Sequence, residues 1–168
     1  MTTLTKVALS FIGQLKPDRV KTRAIAQSML LPRPNTQGGL PLLQALSKRR
    51  SSREFASTAL PQQVLSDLLW AAFGINRAEG NGRTAPTARN AQEIDLYVAL
   101  PGGLYIYDAF AHSLTLVAAV DARNVTGYQD FVDEAPLDIV YVADHGHMSA
   151  SPSEERYAYS AVAAGAIA

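Results

Sequence analysis

The stretch I-D-L-Y-V-A-L-P-G-G-L-Y-I-Y, residues 94 to 107, decides the fold. Apolar side chains alternate with others along its first half, and Pro101-Gly102-Gly103 then turns the chain into a second run that ends at Tyr107. Alternation with period two is typical of a strand with one buried face, and a short turn between two such runs predicts a β-hairpin. The sequence therefore indicates an antiparallel sheet at the centre of the molecule.

Residues beyond the hairpin extend this sheet. Leu114 to Val117 predict a third strand. Residues 137–143 predict a more buried strand, because Pro136 starts it and its apolar run is nearly continuous. Between these two strands, residues 121–134 predict one or two short helices.

Two helices are predicted before the hairpin and one after it. The clearest runs from Pro61, which suits a first turn, to Gly74, which suits a C-terminal cap. Its buried face is expected to carry Val64, Leu65, Leu68, Leu69 and Ala72. A short helix is predicted over residues 41–48. The last helix is expected to begin near Ser153 and to pack closely against another backbone at Gly165.

The N-terminal segment is predicted to stand apart from this domain. A helix interrupted at Pro17 is expected over residues 1–31, followed by a linker rich in Pro, Asn and Gly. We therefore predict an N-terminal extension and linker at 1–39 and a domain at 40–168. A cytoplasmic location is expected. The alternative is an exported protein with a poorly formed signal segment that ends near Ala26.

Composition limits the possible functions. The chain has no cysteine, which excludes disulfides, thiolate metal sites and cysteine nucleophiles. Its formal net charge is zero, yet residues 1–53 hold ten basic side chains and one acidic side chain. Nucleic-acid binders usually carry a basic excess over a whole face, so this local excess favours a small anionic ligand. We expect neither a nucleic-acid partner nor a membrane, with nucleic-acid binding by the basic third as a weaker alternative.

Two further motifs are candidates for chemistry. Residues 76–90 form a long polar loop of a kind that is often functional, although its Arg83 and Arg89 are as well explained by surface ion pairs. Asp144-His145-Gly146-His147 has two imidazoles and a carboxylate but no third nitrogen or sulfur ligand at motif spacing. We therefore predict no metal site, and no histidine lies in a recognisable catalytic motif.

The run K-R-R-S-S-R, residues 48 to 53, has a phosphate-binding composition. Guanidinium groups bind phosphate oxygens in pairs, and serine hydroxyls donate to the same oxygens. The alternative interpretation is a solvated helix end, which runs of Lys and Arg usually are.

Four segments in order carry a family resemblance: R-R-S-S-R at 49–53, L-L-W-A-A-F-G-I-N-R at 68–77, R-T-A-P-T-A-R-N-A-Q at 83–92, and the strand I-D-L-Y-V-A that follows. From about Leu40 to Ala168 the chain resembles the FMN-dependent nitroreductase family. This resemblance implies an α+β fold with a central, mostly antiparallel sheet flanked by helices. Family members continue past the equivalent of Ala168, so the C-terminal part of the fold is expected to be missing.

The resemblance also implies an intertwined homodimer with FMN at its interface. Arg49, Ser51 and Arg53 match positions that hold the flavin phosphate and ribityl chain, with Arg50 nearby. In the implied reaction NAD(P)H reduces FMN and leaves, and a nitroaromatic, quinone or similar small molecule then takes the electrons. The alternative is a non-catalytic remnant that binds flavin weakly or not at all and acts through dimerisation or partner binding.

The ring end of the implied flavin site falls in the polar loop. Asn90 matches a residue that hydrogen-bonds the pyrimidine edge, and Thr87 and Gln92 are weaker candidates. An amide side chain suits an edge that presents both donors and acceptors. Because the cofactor carries the redox chemistry, no catalytic protein residue is expected.

Overall fold

A computed structural model describes residues 27–168. Five strands form one sheet in which every neighbouring pair is antiparallel. In sheet order they are β1 (Ser28–Leu30), β6 (Ser113–Ala118), β5 (Gly103–Asp108), β4 (Ile94–Leu100) and β7 (Asp138–Ala143). A separate ribbon pairs β2 (Ile75–Arg77) with β3 (Gly82–Arg83). The predicted hairpin is the β4–β5 pair, and the predicted α+β fold with an antiparallel sheet is confirmed.

Three helices accompany the sheet: α1 (Leu42–Lys48), α2 (Gln62–Phe73) and α3 (Ser153–Ile167). All three were predicted within a few residues of these bounds. On α2, Leu65, Leu69 and Phe73 recur every fourth residue and join the core with strand residues such as Leu96 and Val98. From α3, Ala163 and Ile167 enter the same core. Helix α1 differs, because none of its residues is buried.

One expectation about a helix face is wrong. Val64 and Leu68 are 48% and 41% exposed, because the stripe that starts at Leu65 turns them away from the core. At Gly165, a Cβ atom would meet no atom of residues 27–168 within 4 Å, so close packing of α3 against another backbone at this glycine stays a prediction for contact with a second chain.

The segment before Leu40 contributes to the sheet. Met29 pairs with Leu114, and the Leu31 amide donates to the His112 carbonyl at 3.1 Å. The helix predicted over residues 1–31 is therefore wrong for the strand Ser28–Leu30, where backbone pairing with β6 replaces helical bonds. The rest of that prediction lies outside the described residues.

The connections hold short elements. Two 3₁₀ helices, Arg123–Val125 and Asp130–Glu134, fill the segment predicted to hold one or two short helices. The polar loop is more ordered than its composition indicates, since it contains the β2–β3 ribbon and two 3₁₀ turns. Among residues 27–168, no helix is long and apolar enough to cross a membrane.

Candidate functional site

A cavity of about 360 Å³ lies beside the start of β4. Its lining combines three amide side chains with three aromatic rings: Asn81, Asn90, Gln92, Phe73, Tyr107 and Phe110. Titratable groups are present as well, in Arg83, Asp95 and His147. Small-molecule sites have this character, with apolar walls and a few polar groups that fix orientation.

Backbone strain is concentrated at the polar side of this cavity. Five non-glycine residues in 27–168 have positive φ, and three of them line the cavity: Asn81 at 54°, Asn90 at 54° and Gln92 at 50°. Non-glycine residues adopt this left-handed backbone conformation at a cost in free energy. Among them, asparagine adopts it most often. Strained residues persist where the surrounding structure holds them, and they cluster at functional sites.

Gln92 is the centre of the hydrogen bonds that hold the loop. Its Oε1 accepts from Arg83 Nε at 3.0 Å, and its Nε2 donates to the Asn81 carbonyl at 2.9 Å and to Asn90 Oδ1 at 3.1 Å. Its backbone amide donates to Thr87 Oγ1 at 3.0 Å. The side chain thus uses all its donors and its acceptor atom inside the protein.

Arg83 is a cation held between two aromatic rings. Its guanidinium carbon lies 4.9 Å from the Phe73 ring centre and 5.2 Å from that of Phe110, and Nη1 donates to the Phe73 carbonyl at 3.2 Å. Burial lowers the pKa of the Arg83 guanidinium below its usual range, and the nearby Tyr107, Asp108 and Asp95 act in the opposite direction. Within residues 27–168 it forms no ion pair, so its charge is left to act on the cavity.

Two other lining residues titrate away from their usual ranges. Burial raises the pKa of Asp95, and the neighbouring Asp144 raises it further. Burial also raises the pKa of Tyr107 to about 12, so its phenol stays protonated at neutral pH. Its hydroxyl lies 2.9 Å from His112 Nδ1, and the phenol oxygen therefore has a hydrogen-bond partner within the protein.

The basic cluster, residues 49–53, is exposed and does not line the cavity. Within the described part of the chain, the guanidinium groups of Arg49 and Arg50 make no hydrogen bond or ion pair. Arg53 lies 5.6 Å from the ring centre of Phe131, in the turn that leads into β7. Asn90 instead precedes β4, whose first residue pairs with the last residue of β7. The cluster and the cavity thus lie towards opposite ends of the β4–β7 pair.

Comparison with known proteins identifies the family. The model of the Nitroreductase family matches residues 46–168, almost three quarters of the chain. This chain belongs to the nitroreductase family. The resemblance predicted from the four sequence segments is therefore confirmed.

Solved and curated relatives agree with this family. The crystal structure of a "putative nitroreductase" from Ralstonia eutropha JMP134 is 52% identical, with a TM-score of 0.79 over 83% of this chain and 67% of that one. A "putative nitroreductase" of Methanocaldococcus jannaschii is 26% identical over 137 residues, which cover 76% of this chain and 69% of the relative. A chain of the E. coli microcin synthetase McbBCD complex, 13% identical with a TM-score of 0.52, covers 95% of this chain and 64% of its own length and shows the fold alone.

The structure brings only part of the predicted nitroreductase site together. Asn90 and Gln92 line the cavity, and Thr87 is bonded to Gln92 beside them. Arg49, Arg50, Ser51 and Arg53 do not line it. Arg89, for which the sequence also suggested a surface ion pair, forms one in the structure. Its Nη2 lies 3.7 Å from Glu155 Oε2, and its Nη1 donates to Ser151 Oγ.

The two histidines of the Asp144–His147 turn face separate partners. His145 Nε2 lies 3.3 Å from Ser160 Oγ, and His147 Nδ1 lies 3.2 Å from the Gln92 carbonyl. Asp144 Oδ1 accepts from the Gly146 amide at 2.8 Å, which closes the turn. Among residues 27–168, no three His, Asp or Glu side chains are grouped as a metal site.

Sequence reasoning missed several lining residues of this nitroreductase-family cavity, namely Asn81, Asp95 and Phe110. Asp95 left no signal, because a carboxylate that alternates with buried residues is what the outward face of a half-buried strand usually carries. Phe110 left none either, since aromatic residues are common in and beside strands. Tyr107, like the other strand tyrosines, could stack on a flavin, but a half-buried sheet position explained it as well. Arg83 was considered, but its sandwich between two rings is a tertiary contact that no local pattern reports.

Proposed function

We propose that this nitroreductase-family protein is an FMN-dependent oxidoreductase that passes electrons from NAD(P)H to a nitroaromatic, quinone or similar acceptor. The observation that carries the proposal is Asn90. It lies on a strained loop at a cavity, in a left-handed conformation with φ 54°, in a family typified by flavin-dependent reductases. Backbone conformations of this kind cluster at ligand-binding and active sites.

The ring end of the site fits a flavin. Asn90 Oδ1 is bonded to Gln92, and Asn90 Nδ2 forms no hydrogen bond with any residue of 27–168. That amide group is available to a carbonyl or ring nitrogen on the flavin's pyrimidine edge. The rings of Phe73, Tyr107 and Phe110 supply an apolar wall for a planar ligand.

The phosphate end also fits in its chemistry. Arg49, Arg50 and Arg53 carry guanidinium groups without an ion-pair partner among the described residues, and Ser51 adds a hydroxyl. A dianionic phosphate is bound best by charge-assisted donors of this type. The exposure of the cluster means that these cations are solvated until an anion reaches them.

When bound, FMN supplies the redox chemistry, and the protein's own residues position it and tune its charge. Arg83 places an unpaired positive charge beside the cavity, where it stabilises negative charge on a bound ring.

We propose that two copies of the chain complete the site. Within one chain the basic cluster does not line the cavity, and in this proposal a second subunit supplies the surface that joins the two ends into one flavin site. Helix α1 supports this association, because Leu42, Leu43 and Leu46 are 72%, 80% and 58% exposed. An exposed apolar helix face of this kind is typical of a surface that another chain covers.

The same separation favours the second candidate, a remnant that does not catalyse. A chain whose two ligand-binding ends never meet would bind flavin weakly and would persist through dimerisation or partner binding. Flavin content separates the two candidates.

The test is the colour and flavin content of the purified protein. We expect a yellow protein that releases FMN on denaturation and oxidises NAD(P)H with a quinone or nitroaromatic acceptor, and we expect Arg49→Ala to reduce both. A colourless protein that excess FMN cannot reconstitute would contradict the proposal and support the remnant.

A further inference from the structure

The direction of the hydrogen bonds around Gln92 is fixed by two partners that each have one role. Arg83 Nε only donates, and it lies 3.0 Å from Gln92 Oε1. The Asn81 carbonyl only accepts, and it lies 2.9 Å from Gln92 Nε2. One orientation of the Gln92 amide satisfies both partners, while the other would place donor against donor and acceptor against acceptor.

The orientation of the Gln92 amide also determines the orientation of the Asn90 amide. Gln92 Nε2 lies 3.1 Å from Asn90 and presents a hydrogen, so Asn90 must present its oxygen there. Asn90 Nδ2 is then the group left without a partner in residues 27–168, on a side chain that lines the cavity. Arg83 therefore determines, through Gln92, which end of the Asn90 amide a ligand meets.

We propose that Arg83 and Gln92 are positioning residues that hold Asn90 as a hydrogen-bond donor, so that the cavity selects a ring edge presenting an acceptor. This rests on the proposed flavin function, since the pyrimidine edge of the flavin ring carries carbonyl oxygens and a ring nitrogen. Gln92 then acts behind Asn90 and not as a flavin contact, because its own donors and its acceptor atom are all engaged.

Arg83 is suited to this role because it is fixed from several sides. Two aromatic rings enclose its guanidinium, and the Phe73 carbonyl takes a second donor at 3.2 Å. A lysine would carry the charge without the planar fork that directs Nε at Gln92. The orientation of Gln92 is therefore built into the fold before any ligand binds.

The experiment compares Gln92→Met with Gln92→Glu, using riboflavin as the probe so that the phosphate cluster does not contribute. Methionine removes the hydrogen bonds and frees Asn90 to rotate. Glutamate keeps the bond from Arg83 but presents an oxygen to Asn90, which turns its amide and puts Oδ1 towards the ligand. We expect riboflavin affinity to fall about fivefold in Gln92→Met and further in Gln92→Glu, since one neutral hydrogen bond changes affinity by about this factor.

The order of the two variants decides between positioning and simple support of the fold. Glutamate matches glutamine in shape and strengthens the contact with Arg83, but its second oxygen faces the Asn81 carbonyl, so the free energy of unfolding of both variants is measured alongside riboflavin affinity. A purely structural role predicts that the loss of affinity follows the loss of stability in both variants, with no further loss in Gln92→Glu. That result would overturn the proposal. Asn90→Ala should weaken binding at least as much as Gln92→Met does, and the double variant Asn90→Ala/Gln92→Met should lose no more than Asn90→Ala alone.

A measurement on the flavin-free protein separates this inference from the proposed function. The side-chain amide protons of Gln92 should exchange slowly by NMR, and Arg83→Met should shift their resonances and speed their exchange. Unchanged Gln92 amide signals in Arg83→Met would overturn the positioning role. Failure of the wild type to bind either flavin would instead overturn the proposed function, and the amide signals would still test the network.

Discussion

Ser66 and His112 are 46 positions apart in the sequence, and Ser66 Oγ lies 2.7 Å from His112 Nε2. Ser66 also donates to the Pro32 carbonyl at 2.5 Å, and the Tyr107 hydroxyl lies 2.9 Å from His112 Nδ1 on the other side of the ring. When the imidazole is neutral, every hydrogen-bond donor in this network of four residues has an acceptor, and the ring nitrogen without a proton has a donor. Residues from β5, α2 and the segment after β1 are thereby joined at one side chain.

This network predicts a pH dependence of stability. Burial lowers the pKa of His112 from its usual 6.5, while the Pro32 carbonyl and the Asp67 carboxylate act in the opposite direction. Below about pH 6.5 the unfolded chain therefore binds more protons than the folded one, and the free energy of unfolding falls as the pH falls. Urea unfolding between about pH 8 and about pH 5.5 measures this decline.

The control is His112→Asn, which tolerates the left-handed backbone at this position, φ 47°. It should unfold more easily at every pH but with a flatter dependence in this range. Asp95 and Asp138 do not mimic the effect, because burial raises their pKa and their protonation at lower pH favours the folded state. An equal slope in the variant and the wild type would contradict the assignment to His112.

Gly74 and Gly165 predict opposite effects of the same substitution. A Cβ at Gly74 would lie 2.6 Å from the Trp70 carbonyl and would also overlap the indole ring, so Gly74→Ala should destabilise by about 1–3 kcal/mol. At Gly165, inside α3, a Cβ meets nothing, so alanine should stabilise by about 0.5–1 kcal/mol. Thermal unfolding of both variants tests this, and a loss of stability in Gly165→Ala would contradict the open space seen there.

The sequence predicted those parts of the fold that local patterns determine. The β4–β5 hairpin and helix α2 follow from periodicity and turn residues, and both are present. Strand β1 was missed because three residues at a sheet edge are held by pairing with β6, a tertiary contact with no local signature. The same contrast between local patterns and tertiary contacts applies to the residues that line the cavity. Asn90 was found by its motif, whereas the contacts of Arg83 with two aromatic rings required the folded chain.

Glu93 predicts a stabilising substitution. Its side chain is fully buried, and neither carboxylate oxygen has a hydrogen-bond partner among residues 27–168. A buried carboxylate without a partner opposes folding. Glu93→Met, of similar size, should therefore raise the free energy of unfolding by about 1–4 kcal/mol.

The matched control is Glu79→Met on the exposed turn before β3, which should change stability by less than about 0.5 kcal/mol. Chemical denaturation of both variants against the wild type measures the difference. If Glu93→Met were destabilised, the Glu93 carboxylate would have a partner that its surroundings in one chain do not supply.

The exposed leucines of α1 predict a change in oligomeric state. Leu43 is 80% exposed, and a charge at this position should oppose burial against a second copy. Burying a leucine side chain contributes about 1.5–3 kcal/mol, so Leu43→Glu should raise the dimer dissociation constant at least about tenfold. Sedimentation equilibrium checks this, with Val120→Glu, at a position 57% exposed in the turn after β6, as the control. A monomeric wild type, or a Leu43→Glu protein that remains a dimer at low concentration, would contradict the proposed association.

The basic cluster predicts a difference between two flavins that share a ring and differ in one phosphate. If Arg49 and Arg53 bind the phosphate, Arg49→Ala and Arg53→Ala should each weaken FMN binding by about tenfold or more, the effect of losing a charge-assisted hydrogen bond. Riboflavin lacks the phosphate, so the same variants should bind it as the wild type does.

Flavin fluorescence titration measures both affinities. The control is Arg33→Ala, at another exposed arginine, which should change neither affinity. Added salt should weaken FMN binding more than riboflavin binding, because it screens solvent-exposed charges. Equal losses for both flavins would mean that the cluster supports the fold around the ring and does not bind the phosphate.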